Sequence, residues 1–215
     1  MMPGSQKDKD GPAAGQPGDD LKAYRGKRDL GRSGEPSGGR RRSGGQPTFV
    51  VQQHDARRMH YDFRLEADGV LKSWAVPRGP SENPAVKRLA VQTEDHPLDY
   101  EDFEGVIPRG EYGAGPVIVW DAGTYENETT DKSGKKVSVA DAISQGHVSF
   151  VLHGRKLRGG YSLTRIRNDR EPAWLLVKEK DRFADRTADP ERDEPESVKS
   201  GKDIGDLDGA GEEPS

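Results

Sequence analysis

A chain of 215 residues that is 30% hydrophobic and 33% charged, with a mean hydropathy of −0.98, is too polar for all of it to share one core. One ordinary domain flanked by tails is the expectation. The formal net charge of −4 is unevenly spread: residues 22–42 carry eight bases against two acids, whereas residues 181–215 carry twelve acids against five bases. The low overall charge therefore does not exclude a nucleic-acid partner, because a local basic arm can contact phosphates beside an acidic tail.

The absence of cysteine excludes disulfides and cysteine-ligated zinc or iron–sulfur centres, and accords with a reducing cytoplasm. The opening MMPGSQKDKDGPAAG has no apolar run of the signal-peptide kind, and no stretch approaches the roughly 18 apolar residues of a membrane span. No membrane association and a cytoplasmic location are expected.

In chain order, residues 1–20 are rich in Gly, Pro, Lys and Asp and read as a disordered N-terminal tail. Residues 21–46 form a basic, Gly-rich arm with at most a short helical turn near Leu21–Lys27. By itself this arm reads as a solvated linker. The domain core begins with TFVVQQH, a strand. HYDFRLE then alternates, with Tyr61, Phe63 and Leu65 on one face and His60, Asp62, Arg64 and Glu66 on the other. ADG at 67–69 is a tight turn and VLKSWAVP the returning strand. Further strands are expected at 88–95, 115–126, 147–154, 161–167 and 173–180, with one helix ending at Gly146. Many short strands and Gly/Pro/Asp turns predict an all-β barrel or sandwich. Residues 183–215 read as an acidic disordered tail.

The stretch HDARRMHYDFRLE carries the chemistry. On a strand, His60 and Asp62 stand one pleat repeat apart, and five intervening residues let the chain turn and bring His54 beside them. Two imidazoles and a carboxylate suit a divalent first-row ion such as manganese or iron. The competing reading is an ordinary amphipathic strand with bystander histidines, and spacing alone does not separate the two. Arg64 shares the face of Asp62 and presents a planar fork suited to phosphate; pairing with Glu66 is the plainer role. Gln52 shares the face of His54. His96, just past a strand end, could move protons or bind phosphate, and Tyr100 follows it. Arg57 and Arg58, between the histidines, could track a DNA backbone or simply form a solvated turn.

FVVQQHDARRMHYDFRLEADGVLKSWAVPRGPS, TEDHPLDYEDFEGVIPRGEYGAGPVIVWDAGTYE and AWLLVKEKD together resemble the 3′-phosphoesterase domain of bacterial ATP-dependent DNA ligase D, over about Leu21 to Arg182. The resemblance implies an antiparallel β-barrel and a manganese-dependent enzyme that heals DNA 3′ ends. Such an enzyme removes a terminal ribonucleoside by a diesterase step and then the 3′-phosphate by a monoesterase step. It implies metal ligands His54, His60 and Asp62, with Arg64 and His96 at the phosphate and Tyr100 and Gln52 lining the site. Arg88 matches a basic active-site position. Arg28, Asp29 and Glu35 match an RD…E pattern, which would make the arm a segment that orders over substrate. One departure stands out: the family carries lysine where this chain has Arg78, which keeps the charge but does not readily donate a proton.

No Lys-x-Asp-Gly nucleotidyl-transfer motif is present, so a free-standing monomeric form near the nucleoid is expected. Ligase, polymerase/primase and Ku would then be supplied by separate chains. Two alternatives remain: an iron-dependent oxygenase built on His60 and Asp62 with His147 or His153, and a non-catalytic DNA-end-binding module with a structural metal.

Overall fold

A computed structural model describes residues 21–39, 44–166 and 173–208. The expectations for the first 20 residues, for Arg40, Arg41 and Arg42, and for the last seven residues lie outside them.

Among the described residues ten strands form one antiparallel sheet: β1 (Thr48–Asp55), β2 (Met59–Ala67), β3 (Val70–Val76), β4 (Lys87–Gln92), β5 (His96–Pro97), β6 (Gly105–Ile107), β7 (Gly115–Asn127), β8 (His147–Gly154), β9 (Arg158–Arg165) and β10 (Ala173–Lys178). The order β1–β2–β3–β4–β10–β9–β8–β7 closes through pairing of β7 with β1, giving an eight-stranded barrel. β6 extends β7 and β5 pairs with β3. The protein is thus mainly β, as expected, and closure removes the exposed edges an open sheet would carry. Among the described residues no helix is long and apolar enough to cross a membrane.

Alternation builds the barrel core. Phe49 and Val51 from β1, Tyr61, Phe63 and Leu65 from β2, and Trp74 and Val76 from β3 point inward and join Trp120, Phe150 and Trp174. Asp68 and Gly69, both with positive φ, close the β2–β3 hairpin in the manner of a two-residue turn whose twist matches the strands. The helix Val139–Gln145 starts where Ser138 Oγ accepts from the Asp141 amide and stops at left-handed Gly146.

The outward faces of β1, β2 and β3 are covered as well. The arm forms two short helices, α1 (Lys22–Gly26) and α2 (Leu30–Ser33). Tyr24 from α1 packs with Val50, Leu71, Leu98, Tyr100 and Val119 in a second cluster outside the barrel. The linker-like composition of the arm had hidden one fully buried tyrosine and a set of buried charges.

The described part of the C-terminal tail carries more structure than its composition suggests. Residues 183–208, expected to be disordered, run across the barrel and include the short helices α4 (Pro190–Asp193) and α5 (Gly205–Asp208), α3 being the Val139–Gln145 helix. The contacts are made largely by the tail's backbone: Trp120 Nε1 donates to the Glu194 carbonyl, Val198 N–H to the Val119 carbonyl, and Lys156 Nζ to the carbonyls of Glu194 and Glu196. Backbone acceptors leave no mark on composition, so an acidic sequence reads as unstructured although its main chain is held.

Candidate metal centre and active site

The β1–β2 register sets His54 directly opposite His60, with Asp62 one pleat further along the outer face. A donor atom from each of the three lies within 4.8 Å of the others. Both rings are oriented from behind by backbone carbonyls. His54 Nε2 lies 2.7 Å from the Gly113 carbonyl and His60 Nδ1 lies 2.9 Å from the Arg58 carbonyl. A carbonyl only accepts, so these nitrogens carry the protons. His54 Nδ1 and His60 Nε2 are left facing Asp62 at 3.7 and 3.6 Å. Those separations exceed a hydrogen bond and leave space among three lone-pair donors, which is the donor set and arrangement a divalent cation needs.

Asp62 is ionised. Burial would raise its pKa, but the Arg64 guanidinium and the two histidines outweigh burial and hold the carboxyl well below the usual range. Arg64 is itself buried and fixed on three sides: Nη2 donates to Asp62 Oδ2 at 2.9 Å, Nε to Gln52 Oε1 at 2.9 Å and Nη1 to Ser73 Oγ at 2.8 Å. A guanidinium has five N–H groups, so these bonds leave donors for an anion in the cavity that Arg64 lines.

That cavity, of about 810 Å³, is bounded by the triad, by Arg57 and Arg58 on the β1–β2 connection, by Arg28 and His96, and by the loop 110–114. It is large enough for more than a phosphate group.

Arg28 ties the arm to the barrel. Its Nε donates to Glu35 Oε1 at 2.8 Å, its Nη1 to Glu94 Oε1 at 2.9 Å, and its Nη2 to His96 Nε2 at 3.2 Å. Burial works against its charge, yet the two carboxylates raise its pKa above the ordinary arginine value. His96 Nδ1 donates to the Glu94 carbonyl at 2.9 Å, which fixes Nε2 as the acceptor. Burial, then Arg64 and Arg28, push His96 well below its usual pKa, so it is neutral. Burial raises Tyr100 far above its usual value; it stays protonated and donates to Glu35 Oε1 at 2.9 Å.

Residues 52–165 match the family model of the DNA ligase D 3′-phosphoesterase domain. The chain belongs to this family. It is 51% identical over 186 residues to the multifunctional non-homologous end joining protein LigD of Pseudomonas aeruginosa, covering 84% of this chain and 21% of that protein. The corresponding proteins of Mycobacterium tuberculosis and Mycolicibacterium smegmatis are 47% and 42% identical, over 81% and 85% of this chain and 21% and 23% of theirs. The chain thus spans about a fifth of the length of these relatives.

Within this family member, the cavity brings together His54, His60, Asp62, Arg64, His96, Tyr100, Arg28, Arg57 and Arg58. Other expected site residues stand elsewhere. Gln52 is fully buried behind Arg64, donating to the carbonyls of Tyr100 and Phe103, so it positions Arg64 and does not line the cavity. Glu35 is buried beneath Arg28 and acts through it. Asp29 is exposed and caps α2 by accepting from the Gly31 amide. Arg78 is exposed two residues past Val76, the end of the β2–β3 ladder, and does not border the cavity. Arg88 shares the inward face of Ala90 and lies 3.6 Å from Glu191 of α4. His147 bonds Thr164 and Ser149, and His153 bonds Glu126, all on the strand surface, so the oxygenase arrangement is not formed.

Four contributors were missed. Glu94 pairs with both Lys27 and Arg28; burial opposes its charge, but these cations hold its pKa below the usual value. It stands two residues before His96, within a quoted motif, but nothing in the spacing links it to the arm. Ser73 and the Gly113 carbonyl act through hydrogen bonds that no pattern reports. Tyr112 lines the cavity from the loop 110–114, where no spacing singles it out.

Proposed function

We propose that the chain is a manganese-dependent phosphoesterase that heals DNA 3′ ends, first removing a terminal ribonucleoside and then the remaining 3′-phosphate. The observation that carries the reading is the convergence of His54, His60 and Asp62 beside Arg64 in one cavity, in a chain of this family. The donor set suits a hard-to-borderline divalent ion with open positions, such as manganese. His54, His60 and Asp62 would hold such an ion, which would supply polarisation of a phosphoryl oxygen.

The protein groups supply the rest. Arg64 holds the anion through its free N–H donors and is prevented from turning by Asp62, Gln52 and Ser73. Arg28 lines the same cavity. His96, neutral and accepting from Arg28 at Nε2, sets the direction of that guanidinium; in this arrangement its Nε2 carries no proton to donate. Arg57 and Arg58 give the cavity a cationic border suited to a nucleic-acid backbone. In the diesterase step water adds its oxygen to phosphorus, the bond to the 5′-oxygen of the terminal nucleoside breaks, and that oxygen takes up the proton. DNA is the substrate, and a ligase, a polymerase and Ku are the partners this chemistry would serve, because a 3′-hydroxyl is what sealing and extension require.

A 5′-labelled primer–template ending in one 3′-ribonucleotide tests the reading, with Mn²⁺, Mg²⁺, EDTA and His60→Ala arms. The expected result is a ladder through the 3′-phosphate to the 3′-hydroxyl that EDTA and the substitution abolish. A folded, Mn²⁺-binding protein that leaves the primer intact would refute it in favour of an end-binding module.

A further inference from the structure

Tyr112 is the most exposed of the large hydrophobic side chains among the described residues, at 49%, yet it borders the same cavity as the metal triad. An aromatic ring left open to water in a cavity of charged groups calls for an explanation that packing does not give.

Its placement is rigid. The Glu111 amide donates to the Pro108 carbonyl and the Ala114 amide to the Glu111 carbonyl, so two successive turns frame the residue. The carbonyl of Gly113, the residue after Tyr112, holds His54. Gly113 and Gly115 have φ of +77° and +139°, and a Cβ at Gly115 would stand 1.9 Å from the Asp55 carbonyl oxygen. The glycines therefore let the loop backbone pack against β1 beside His54, the candidate ligand it orients.

The direction of the loop matters. The His60 ring is held by the Arg58 carbonyl and the His54 ring by the Gly113 carbonyl, so the Arg57–Arg58 connection and the Tyr112 loop both adjoin the triad. A phosphodiester on the triad would share its cavity with the Arg57 and Arg58 cations, suited to the DNA strand, and with the Tyr112 ring. Lys27 Nζ and Arg28 Cζ lie 4.9 and 5.1 Å from the ring centroid, fixing the ring beneath the arm while about half of it stays open.

We propose that Tyr112 is the stacking platform for the base of the terminal nucleoside that leaves in the diesterase step, making that step sensitive to the presence of a base. The inference rests on the phosphoesterase reading and adds a specificity-determining residue to it. Base–aromatic stacking of this kind corresponds to about ten- to a hundredfold in binding. A 3′-phosphate end has no nucleoside beyond the phosphorus, so the monoesterase step gains nothing from the ring.

The test compares wild type, Tyr112→Ala and Tyr112→Phe on three primers in Mn²⁺: one with a 3′-terminal ribonucleotide, the same with an abasic terminal ribose, and one with a 3′-phosphate. The expected result is a tenfold or larger fall in kcat/KM for Tyr112→Ala on the ribonucleotide end, carried mainly by KM, with 3′-phosphate removal within twofold of wild type. Tyr112→Phe should match wild type, and wild type should lose on the abasic end what Tyr112→Ala no longer loses. Equal loss on both chemistries, or no loss, overturns the inference while leaving the phosphoesterase reading intact. Wild type that processes none of the primers removes both.

Discussion

Replacing Arg28 by Ala should lift the arm from the barrel without melting the barrel. Arg28 joins Glu35 of the arm to Glu94 and His96 of the barrel. The side chains of Glu35 and Glu94 are 0% and 6% exposed. Removing the cation strands these anions, and breaking a buried pair costs roughly 3–5 kcal/mol. Glu94 keeps Lys27 at 3.0 Å and Glu35 keeps the Tyr100 hydroxyl at 2.9 Å, which favours the lower figure. About 3 kcal/mol is about a 150-fold change in the docking equilibrium. The cheaper response is for the arm to detach and hydrate Glu35, because the barrel keeps its own separate core. Hydrogen exchange reads this locally: protection at the α1 and α2 amides should collapse while β1 and β2 keep theirs. Arg28→Lys, which retains charge without the fork, should fall between. The pH dependence has a definite sign. Burial opposes the Glu94 charge, but Arg28 and Lys27 depress its pKa below 4.5, so its contribution is complete above that value and is lost as pH falls through the lower folded value. Unchanged arm exchange in Arg28→Ala, or a loss spread evenly over arm and barrel, would show that the ion network does not hold the arm.

Two further outcomes test the fold around the site. Gly115→Ala must displace the Asp55 carbonyl and adopt a φ that L residues rarely take, so it should cost about 3 kcal/mol and lower Tm by roughly 5–10 °C; a melt within 2 °C of wild type would contradict the contact. Glu191 is pushed up to about 7 by burial, with Asp189 adding to the rise and Arg88 opposing it. A raised acid binds its proton more tightly when folded, so its charging should cost stability as pH climbs from 4.5 towards 7, and Glu191→Gln should flatten the Tm profile between pH 5 and 8; an unaltered slope would rule Glu191 out as its source.

The elements were legible where a period of two was clean. Tyr61, Phe63 and Leu65 announced the inner face of β2, and His60, Asp62 and Arg64 the outer, because each residue had one chemical character and the strand had one core. Arg88 was harder for a stated reason. In RLAVQ three apolar residues run together, so the pattern does not say which side Arg88 takes, and the structure turns it inward to Glu191. Gln52 does share the face of His54, but the 3₁₀ segment Leu98–Asp102 folds over that face and converts a lining position into a buried support. Nothing local to β1 reports what a segment 48 residues later will cover.

The candidate metal centre shows the same division between what a strand supplies and what distant chain supplies. Alternation and register place three ligand-bearing residues on one patch, and that much follows from thirteen consecutive residues. Placement alone leaves each imidazole free to present either nitrogen. The choice is made by two carbonyls, Arg58 within the hairpin and Gly113 from a loop 59 residues beyond His54. The second of these explains why the loop 108–115 is so rich in glycine: its main chain must pass close enough to β1 to accept from His54 and to lie against Asp55. Side chains that make a site are readable in sequence because their identity is their chemistry. Backbone groups that orient them are not, and here they surface only as glycines whose purpose the fold discloses.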